Sequence, residues 1–172
     1  MKKVTELGAK FVQKNIDSFT SFGKSIVINC TGIGSKDLAK DSLVHPIRGQ
    51  IVMGKPITGV KVDKIYIDEE AHNNLSYIVP RSDGVLMGGT AEVGEYSTDI
   101  GMNEVKTIIQ RCSNVIPELS SAQVIKYYAA LRPARAEVRL QSQQIDDTFV
   151  VHNYGHSGSG WSLCWGVSIF IF

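Results

Sequence analysis

The chain has 172 residues, a formal net charge of +1 and a hydrophobic fraction of 43%. This length suits one domain or parts of two, and the hydrophobic fraction is sufficient for a real core. A near-neutral charge without a basic cluster argues against nucleic acid as a partner, and no apolar run approaches the roughly 18 residues of a membrane span.

The first half of the chain predicts mainly strands. Residues 10–16 alternate as a half-buried strand does, and the apolar run at 25–29 predicts a buried strand that stops at the turn Cys30-Thr31-Gly32-Ile33-Gly34. Such a strand and turn present backbone amides in nucleotide-binding sheets, but a plain strand-to-helix turn explains them equally well. Further strands without intervening helices predict an antiparallel sheet, at residues 50–53, 60–67, 75–79 and 85–88.

A helix is predicted next, because apolar residues recur at helical spacing at Met102, Val105, Ile108, Ile109 and Cys112. Asp99 is expected to cap this helix and Pro117 to end it. The remaining elements are three strands and a closing helix, at residues 124–131, 138–140, 148–151 and 159–166. The order of elements predicts a mixed α/β chain with a largely antiparallel middle.

Two arginines flank a proline in the run Leu131-Arg132-Pro133-Ala134-Arg135. The proline excludes a helix interior, and in an extended segment the odd spacing places Arg132 and Arg135 on opposite faces. One arginine can then face a pocket, where its planar fork suits both oxygens of a ligand carboxylate. Structural or surface ion pairs for both arginines are the alternative, which the spacing alone favours.

A glycine-rich turn with Gly155, Gly158 and Gly160 follows the last predicted strand. Glycine allows close approach to a ligand, and the helix N-terminus behind the turn adds N–H donors, so a phosphate, a carboxylate or an anionic ring fits there. The spacing is not the dinucleotide fingerprint GxGxxG, and the hydrolase elbow GxSxG is not met. His152 and His156 lack a third ligand nearby, so no metal is expected.

Smaller signals come from the middle of the chain and from the cysteines. Tyr77, in a predicted strand, either aims its hydroxyl into a pocket or packs as an amphipathic core residue. The adjacent Gly88 and Gly89 predict close packing of the backbone. Cys30, Cys112 and Cys164 lack CxxC spacing, which predicts reduced, mostly buried thiols rather than disulfides or a zinc site.

Taken together, these motifs resemble the FAD-dependent D-amino-acid oxidase and D-aspartate oxidase family. The run HNYGHSGSG at residues 152–160, with the later Gly166, fits the C-terminal signature of that family, although Ser168 stands where the signature has alanine. Other segments resemble family segments in the same order: VINCTGIGSKDL at 27–38, HPIRGQIV at 45–52, YIVPRSDGVLMGGT at 77–90 and ALRPARAEVRLQ at 130–141.

The resemblance implies an antiparallel substrate-binding domain at residues 45–130, joined to parts of a Rossmann-like FAD-binding domain at 1–44 and 131–172. It also implies oxidation of a D-amino acid to an imino acid, which hydrolyses to a keto acid and ammonia while oxygen becomes hydrogen peroxide. The partners are then a D-amino acid and oxygen, and a homodimer is left open. An intracellular location, cytoplasmic or peroxisomal, is expected, although the chain ends without a peroxisomal signal of the SKL kind.

Residue roles follow from the same resemblance. Arg132 would hold the substrate carboxylate, Tyr77 would donate to it, and the backbone at Gly158 would contact the substrate amine and the flavin. No side-chain base is expected, because the α-hydrogen leaves as hydride and positioning replaces acid–base chemistry. The implied FAD contacts are Ile16, Thr31, Ser157, Gly158, Ser159, Gly160, Trp161 and Ser162.

Departures from the family pattern set the remaining expectations. Asn73 replaces an active-site tyrosine of some members, and Ala91 with Glu92 stands where D-aspartate oxidases tend to have a basic residue, which favours neutral substrates. The opening strand and GxGxxG turn of the family are not in this sequence, so we expect the C-terminal portion of such an enzyme. The alternative is a non-catalytic remnant that binds no FAD stably; a glycine- or sarcosine-type oxidase is disfavoured by LRPxR followed by HNYGH.

Overall fold

A computed structural model describes residues 2–23, 26–68 and 75–169 of the chain. The strands are β1 (Ile26–Asn29), β2 (His45–Gly54), β3 (Tyr66–Asp68), β4 (Ser76–Arg81), β5 (Gly84–Gly88), β6 (Glu92–Val93), β7 (Val124–Ile145) and β8 (Thr148–His156). The helices are α1 (Lys2–Glu6), α2 (Ser35–Leu38), α3 (Met102–Val115) and α4 (Gly160–Ile169). Short 3-10 turns occupy Phe19–Phe22, Gly32–Gly34, Pro117–Ser121 and Ser157–Ser159.

All eight strands belong to one open sheet with the order β1-β8-β7-β2-β5-β4-β3, and β6 pairs with β2 beside this path. The β1–β8 pair is parallel, with Asn29 opposite His152, whereas the other pairs are antiparallel. The predicted fold class, a mixed α/β chain with a largely antiparallel sheet, is therefore confirmed.

Strand β7 is the longest element and connects the two parts of the sheet. It pairs with β2 over its first half and with β8 over its second half, with an irregular register between Ala134 and Arg139. Two separate strands were predicted here, at residues 124–131 and 138–140. In the fold Pro133 lies opposite Pro46 of β2, so the two missing N–H donors fall at one place in the ladder.

The core lies between α3 and one face of the antiparallel part of the sheet, and the buried side of α3 is formed by Val105, Ile108 and Cys112. Ile78, Met87 and Val52 stand opposite one another on β4, β5 and β2 and meet this helix. Side chains alternate along a strand, so the preceding Tyr77 and the following Gly88 belong to the opposite face. We call the face against α3 the covered face and the other the open face.

Several local predictions are wrong or need adjustment. Residues 10–16 form no strand and carry exposed apolar side chains, because the structure gives this segment no partner strand. Within 60–67 only the end is extended, as β3, and Ser25 lies outside the described residues. Gly101 rather than Asp99 is the N-cap of α3, without a side-chain cap.

The cysteines also differ from expectation, since Cys112 is buried but Cys30 is exposed and Cys164 only partly buried. The boundary proposed at residues 130/131 falls inside β7, and the division into three segments stays a prediction. None of the helices in the described ranges combines the length and apolar character that a membrane crossing requires.

Candidate active site

The structure brings Arg132 and Tyr77 together on the open face. Arg132 lies on β7 opposite Ile47 of β2, and Tyr77 lies on β4 opposite Gly88 of β5. The positive charge of Arg132 acts on the hydroxyl of Tyr77 and opposes the rise in its pKa that burial causes, and Nη1 of Arg132 donates to the carbonyl of Thr90 at 3.0 Å. Two side chains from distant parts of the sequence thus converge on one side of the sheet.

Three glycines make room for this pair. A Cβ on Gly49 would lie under 3.0 Å from the guanidinium of Arg132, so that group rests directly on the backbone of β2. A Cβ on Gly88 or on Gly89 would meet the ring of Tyr77 just as closely. The close packing predicted for Gly88 and Gly89 is confirmed. The role of Gly49 was missed, although a glycine inside a strand can signal close approach.

The protonation of the pair suits an anionic ligand. Burial raises the pKa of Tyr77, and the neighbouring Arg132 only partly offsets this effect, so the phenol keeps its proton at neutral pH. Arg132 stays charged, as arginine does in proteins, and has no carboxylate partner among the described residues. A guanidinium beside a protonated phenol offers a carboxylate both charge and hydrogen-bond donors.

Arg135 behaves in the opposite way, as the odd spacing predicted. Its Nε donates to Asp41 at 3.1 Å, and the same carboxylate oxygen accepts from Arg139 at 3.4 Å and from the hydroxyl of Tyr154 at 2.8 Å. Burial alone would raise the pKa of Asp41, but these hydrogen bonds and charges outweigh it and the pKa is lowered. The ion-pair alternative therefore applies to Arg135 and not to Arg132.

A cleft of about 270 Å³ lies between the turn after β1 and the start of α4. Cys30 and Gly32 line it from the turn, and Ser157 and Gly160 line it from the glycine-rich segment. Asn153 and His156 also line the cleft. Oδ1 of Asn153 and Nε2 of His156 are buried and have no hydrogen-bond partner in the described part of the chain. Unsatisfied polar atoms beside a cleft fit a polar ligand that would complete their bonding.

The turn after β1 is fixed by Asn29, which is buried. Its Oδ1 accepts from the N–H of Thr31 at 3.1 Å and from the Thr31 hydroxyl at 2.7 Å. Its Nδ2 lies 3.1 Å from Nδ1 of His152, and Nε2 of His152 lies 3.1 Å from Oε1 of Gln143. The hydroxyl of Thr31 is therefore engaged within the turn.

The predicted cofactor residues fall into groups. Ser157 and Gly160 line the cleft, and Gly158 abuts Arg132, because a Cβ there would lie 3.5 Å from Cδ of Arg132. The exposed residues at the start of α4 are Ser159, Trp161 and Ser162, with Trp161 89% exposed. Ile16 is not among the residues that line this cleft, and Asn73 lies outside the described residues.

The sequence comparisons identify a family of flavin-dependent oxidoreductases. The model of the family described as FAD dependent oxidoreductase matches residues 1–169, and this chain belongs to that family. The cofactor of the family is FAD.

Similar proteins show which members of this family the chain resembles. The chain is 43% identical over 145 residues to a D-amino-acid oxidase of Rubrobacter xylanophilus, covering 84% of this chain and 44% of that protein. It is 34% identical over 148 residues to a D-aspartate oxidase of Homo sapiens, covering 84% of this chain and 42% of that protein. The predicted likeness to D-amino-acid and D-aspartate oxidases is confirmed, and the chain spans less than half the length of these relatives.

Solved structures show the same fold. The glycine oxidase from Geobacillus kaustophilus superposes with a TM-score of 0.70 at 20% identity, covering 85% of this chain and 40% of that one. The iminodiacetate oxidase from Chelativorans sp. BNC1 superposes with a TM-score of 0.62 at 21% identity, covering 86% of this chain and 42% of that one.

Proposed function

We propose that this chain is the C-terminal portion of an enzyme that oxidatively deaminates neutral D-amino acids. The products would be imino and keto acids, ammonia and hydrogen peroxide, with FAD as cofactor and oxygen as acceptor. The observation that carries this proposal is the meeting of Arg132 and Tyr77 over three glycines, with Gly158 against the side chain of Arg132.

Substrate binding is assigned to the open face. Arg132 binds the carboxylate, because it carries a positive charge that no described carboxylate neutralises. Tyr77 donates a hydrogen bond from its hydroxyl to the same carboxylate, since its raised pKa keeps the phenol protonated. The pair fixes one end of the amino acid and so orients the Cα–H bond without supplying a base.

The flavin side is assigned to the cleft and to the segment that leads into α4. Thr31, Ser157, Gly158 and Gly160 would hold FAD, together with Ser159, Trp161 and Ser162 at the exposed start of the helix and Ile16 from the N-terminal segment. When bound, FAD supplies the acceptor for the hydride of the substrate. The N-terminus of α4 favours negative charge nearby, and Gly158 connects this side to Arg132 because it abuts that side chain.

Neutral substrates are favoured by the charges around Thr90. Ala91 supplies no cation, and Arg48 of β2 is bound to Glu92, with Nε to Oε2 at 2.6 Å. Glu92 also accepts from Gln50 at 2.6 Å. Because register pairs Arg48 with Glu92 next to Gln50, this cluster belongs to the covered face, away from Arg132. A second substrate carboxylate would therefore find no cation in this cluster.

The second candidate is a member of the family that does not bind FAD stably and does not catalyse. It is supported by the exposure of the α4 start, where Trp161 is 89% exposed. In either case the three free thiols support the intracellular compartment, cytoplasmic or peroxisomal, that we propose. A homodimer stays a prediction.

The two candidates are separated by titrating the purified chain with FAD and assaying peroxide production from D-alanine. We expect weak or no FAD binding by the chain alone and little oxidation. The same assays on a chimera, in which this chain replaces the matching part of the Rubrobacter enzyme, should show FAD binding and peroxide. A chimera that folds but binds no FAD and releases no peroxide would favour the non-catalytic candidate.

The assignment of Arg132 is tested in the same chimera. Arg132→Ala should raise the KM for D-alanine by about 100-fold, because two charge-assisted hydrogen bonds are lost, and should leave FAD affinity unchanged. Arg81→Ala is the control, since Arg81 is an exposed arginine of β4 paired with Asp83. An unchanged KM in Arg132→Ala would remove this residue from the site.

A further inference from the structure

The segment Gly88-Gly89-Thr90 lies between two arginines that approach it from opposite sides. On the open face, Nη1 of Arg132 donates to the carbonyl of Thr90 at 3.0 Å. From α3, Nη2 of Arg111 donates to the carbonyl of Gly89 at 2.8 Å. The two arginines therefore hold consecutive carbonyl groups of the same stretch of backbone.

This stretch depends on external bonds for its shape. It leaves β5 after Gly88, and two adjacent glycines give it more conformational freedom than any other residue pair would. The N–H of Gly89 donates to the carbonyl of Leu75 at 2.8 Å, and Oγ1 of Thr90 accepts from the N–H of Gln50 at 3.1 Å. The carbonyl of Gly89 accepts a charge-assisted bond from the guanidinium of Arg111.

The next residue of α3 contacts the same backbone. The thiol of Cys112 lies 3.7 Å from the carbonyl of Tyr77 and 3.7 Å from that of Gly88, and it can donate to one of them at a time. Burial raises the pKa of Cys112 to about 11, so the thiol keeps its proton. Two consecutive residues of one helix thus contact the backbone that supports both Tyr77 and Arg132.

We propose that Arg111 is a positioning residue for the carboxylate site. By bonding the Gly89 carbonyl it fixes the peptide plane that leads into Thr90, and the Thr90 carbonyl in turn orients the guanidinium of Arg132. The inference rests on the proposed function in so far as Arg132 binds a carboxylate. The orientation of Arg132 by Arg111 is a separate claim that is measured without any ligand.

The test uses the full 172-residue chain labelled with ¹³C and ¹⁵N at arginine. NMR measures the rate of rotation about the Cζ–Nε bond of Arg132, whose signals are assigned with Arg132→Ala. In Arg111→Met we expect the bond from Arg132 to the Thr90 carbonyl to be lost. Loss of this bond, worth about 1 kcal/mol, corresponds to roughly fivefold faster rotation. Lys106→Met removes the same charge from an exposed position of the same helix and should change nothing.

Either of two results overturns the proposal: unchanged rotation in Arg111→Met, or equal acceleration in Lys106→Met. Arg111→Gln is the milder variant, because it keeps a polar group at this partly buried position, and it should accelerate rotation in the same direction. If Arg111→Met does not fold, the rate of Arg132 rotation in Arg111→Gln tests the proposal instead, and an unchanged rate there overturns it.

Propionate titrations of the same samples separate this inference from the proposed function. We expect Arg111→Met to weaken propionate binding about fivefold and Arg132→Ala to abolish it. Equal propionate affinity in the wild-type chain and in Arg132→Ala would refute the carboxylate site. In that outcome, faster rotation in Arg111→Met would still support the contact through Gly89 and Thr90.

Discussion

The buried carboxylate of Asp41 offers the sharpest test of how this fold is held together. Its side chain is 6% exposed and lies against two guanidinium groups, those of Arg135 and Arg139, which are 17% and 14% exposed. Oδ2 also accepts from Tyr154, and Oδ1 accepts from the N–H of Leu43 at 3.1 Å. Asp41 therefore joins the segment before β2 to the second half of β7 and to β8.

Asp41→Asn keeps the shape of the side chain, but its amide oxygen can accept on one side only, so the bond from Tyr154 or the bond from Leu43 is lost. The change also leaves two partly buried cations without a counter-charge. Breaking a buried pair in this way costs about 3–5 kcal/mol. Because the amide retains some of the bonds, we expect the lower end, about 3 kcal/mol, or a Tm lowered by about 6–12 °C for a chain of this size. Urea denaturation followed by far-UV circular dichroism measures the change.

The matched control is Asp83→Asn, since Asp83 pairs with Arg81 at 2.9 Å but both side chains are more than half exposed. This control should leave the urea midpoint unchanged, because exposed ion pairs contribute little to stability. A loss in Asp41→Asn no larger than that of the control would refute the reasoning, because the two buried guanidinium groups would then not need the charge.

The same group predicts a pH dependence. The pKa of Asp41 is lowered in the folded chain from its usual 3.8, so the unfolded chain takes up the proton first as the pH falls. The ionised Asp41 contributes fully to stability above the pKa that it has in the unfolded chain. This contribution is lost as the pH falls through the pKa that Asp41 has in the folded chain. The stability difference between wild type and Asp41→Asn should therefore be constant near neutral pH and shrink below about pH 4. A gap that widens on acidification would contradict this sign.

Three further outcomes follow from the site. Gly49→Ala should displace the guanidinium of Arg132 and raise the KM of the chimera by about 10- to 100-fold, whereas Gly166→Ala, which meets nothing within 4 Å, should not. Tyr77→Phe should raise the KM about fivefold to tenfold through one lost hydrogen bond, with FAD affinity unchanged; equal KM values would exclude a donor role. Iodoacetamide should alkylate Cys30 much faster than the buried Cys112 in the folded chain, as read by mass spectrometry; equal rates would contradict the described burial.

Local patterns in the sequence were sufficient for some elements and insufficient for others. The helix at Met102–Val115 was predictable because its apolar spacing is a property of the segment itself. Residues 10–16 have an equally regular pattern, but a strand exists only when a partner supplies its hydrogen bonds, and the pattern does not reveal a partner. The continuity of β7 through Pro133 depended on Pro46, which no window around residue 133 contains.

In the candidate site, too, some features could be predicted from local spacing and others depended on distant residues. Spacing alone placed Arg132 and Arg135 on opposite faces, which the fold confirms, but it favoured ion pairs for both. The partner of Arg135 is Asp41, 94 residues away, and only the three-dimensional register brings them together. Gly49 is a glycine because an arginine from another strand lies on it, and Arg111 contacts the site through backbone carbonyls, which leave no trace in the side-chain pattern.

The irregular register of β7 between Ala134 and Arg139 bears on how such a chain can change in length. In a regular strand, one inserted or deleted residue turns every later side chain to the wrong face. β7 already uses more residues than β8 over this stretch, so an insertion there can be absorbed as a larger bulge while Arg132 keeps its orientation. The same insertion between Tyr128 and Arg132 would point the arginine into the covered face. Length variation among related sequences should therefore concentrate just after Ala134 and spare the few residues before it.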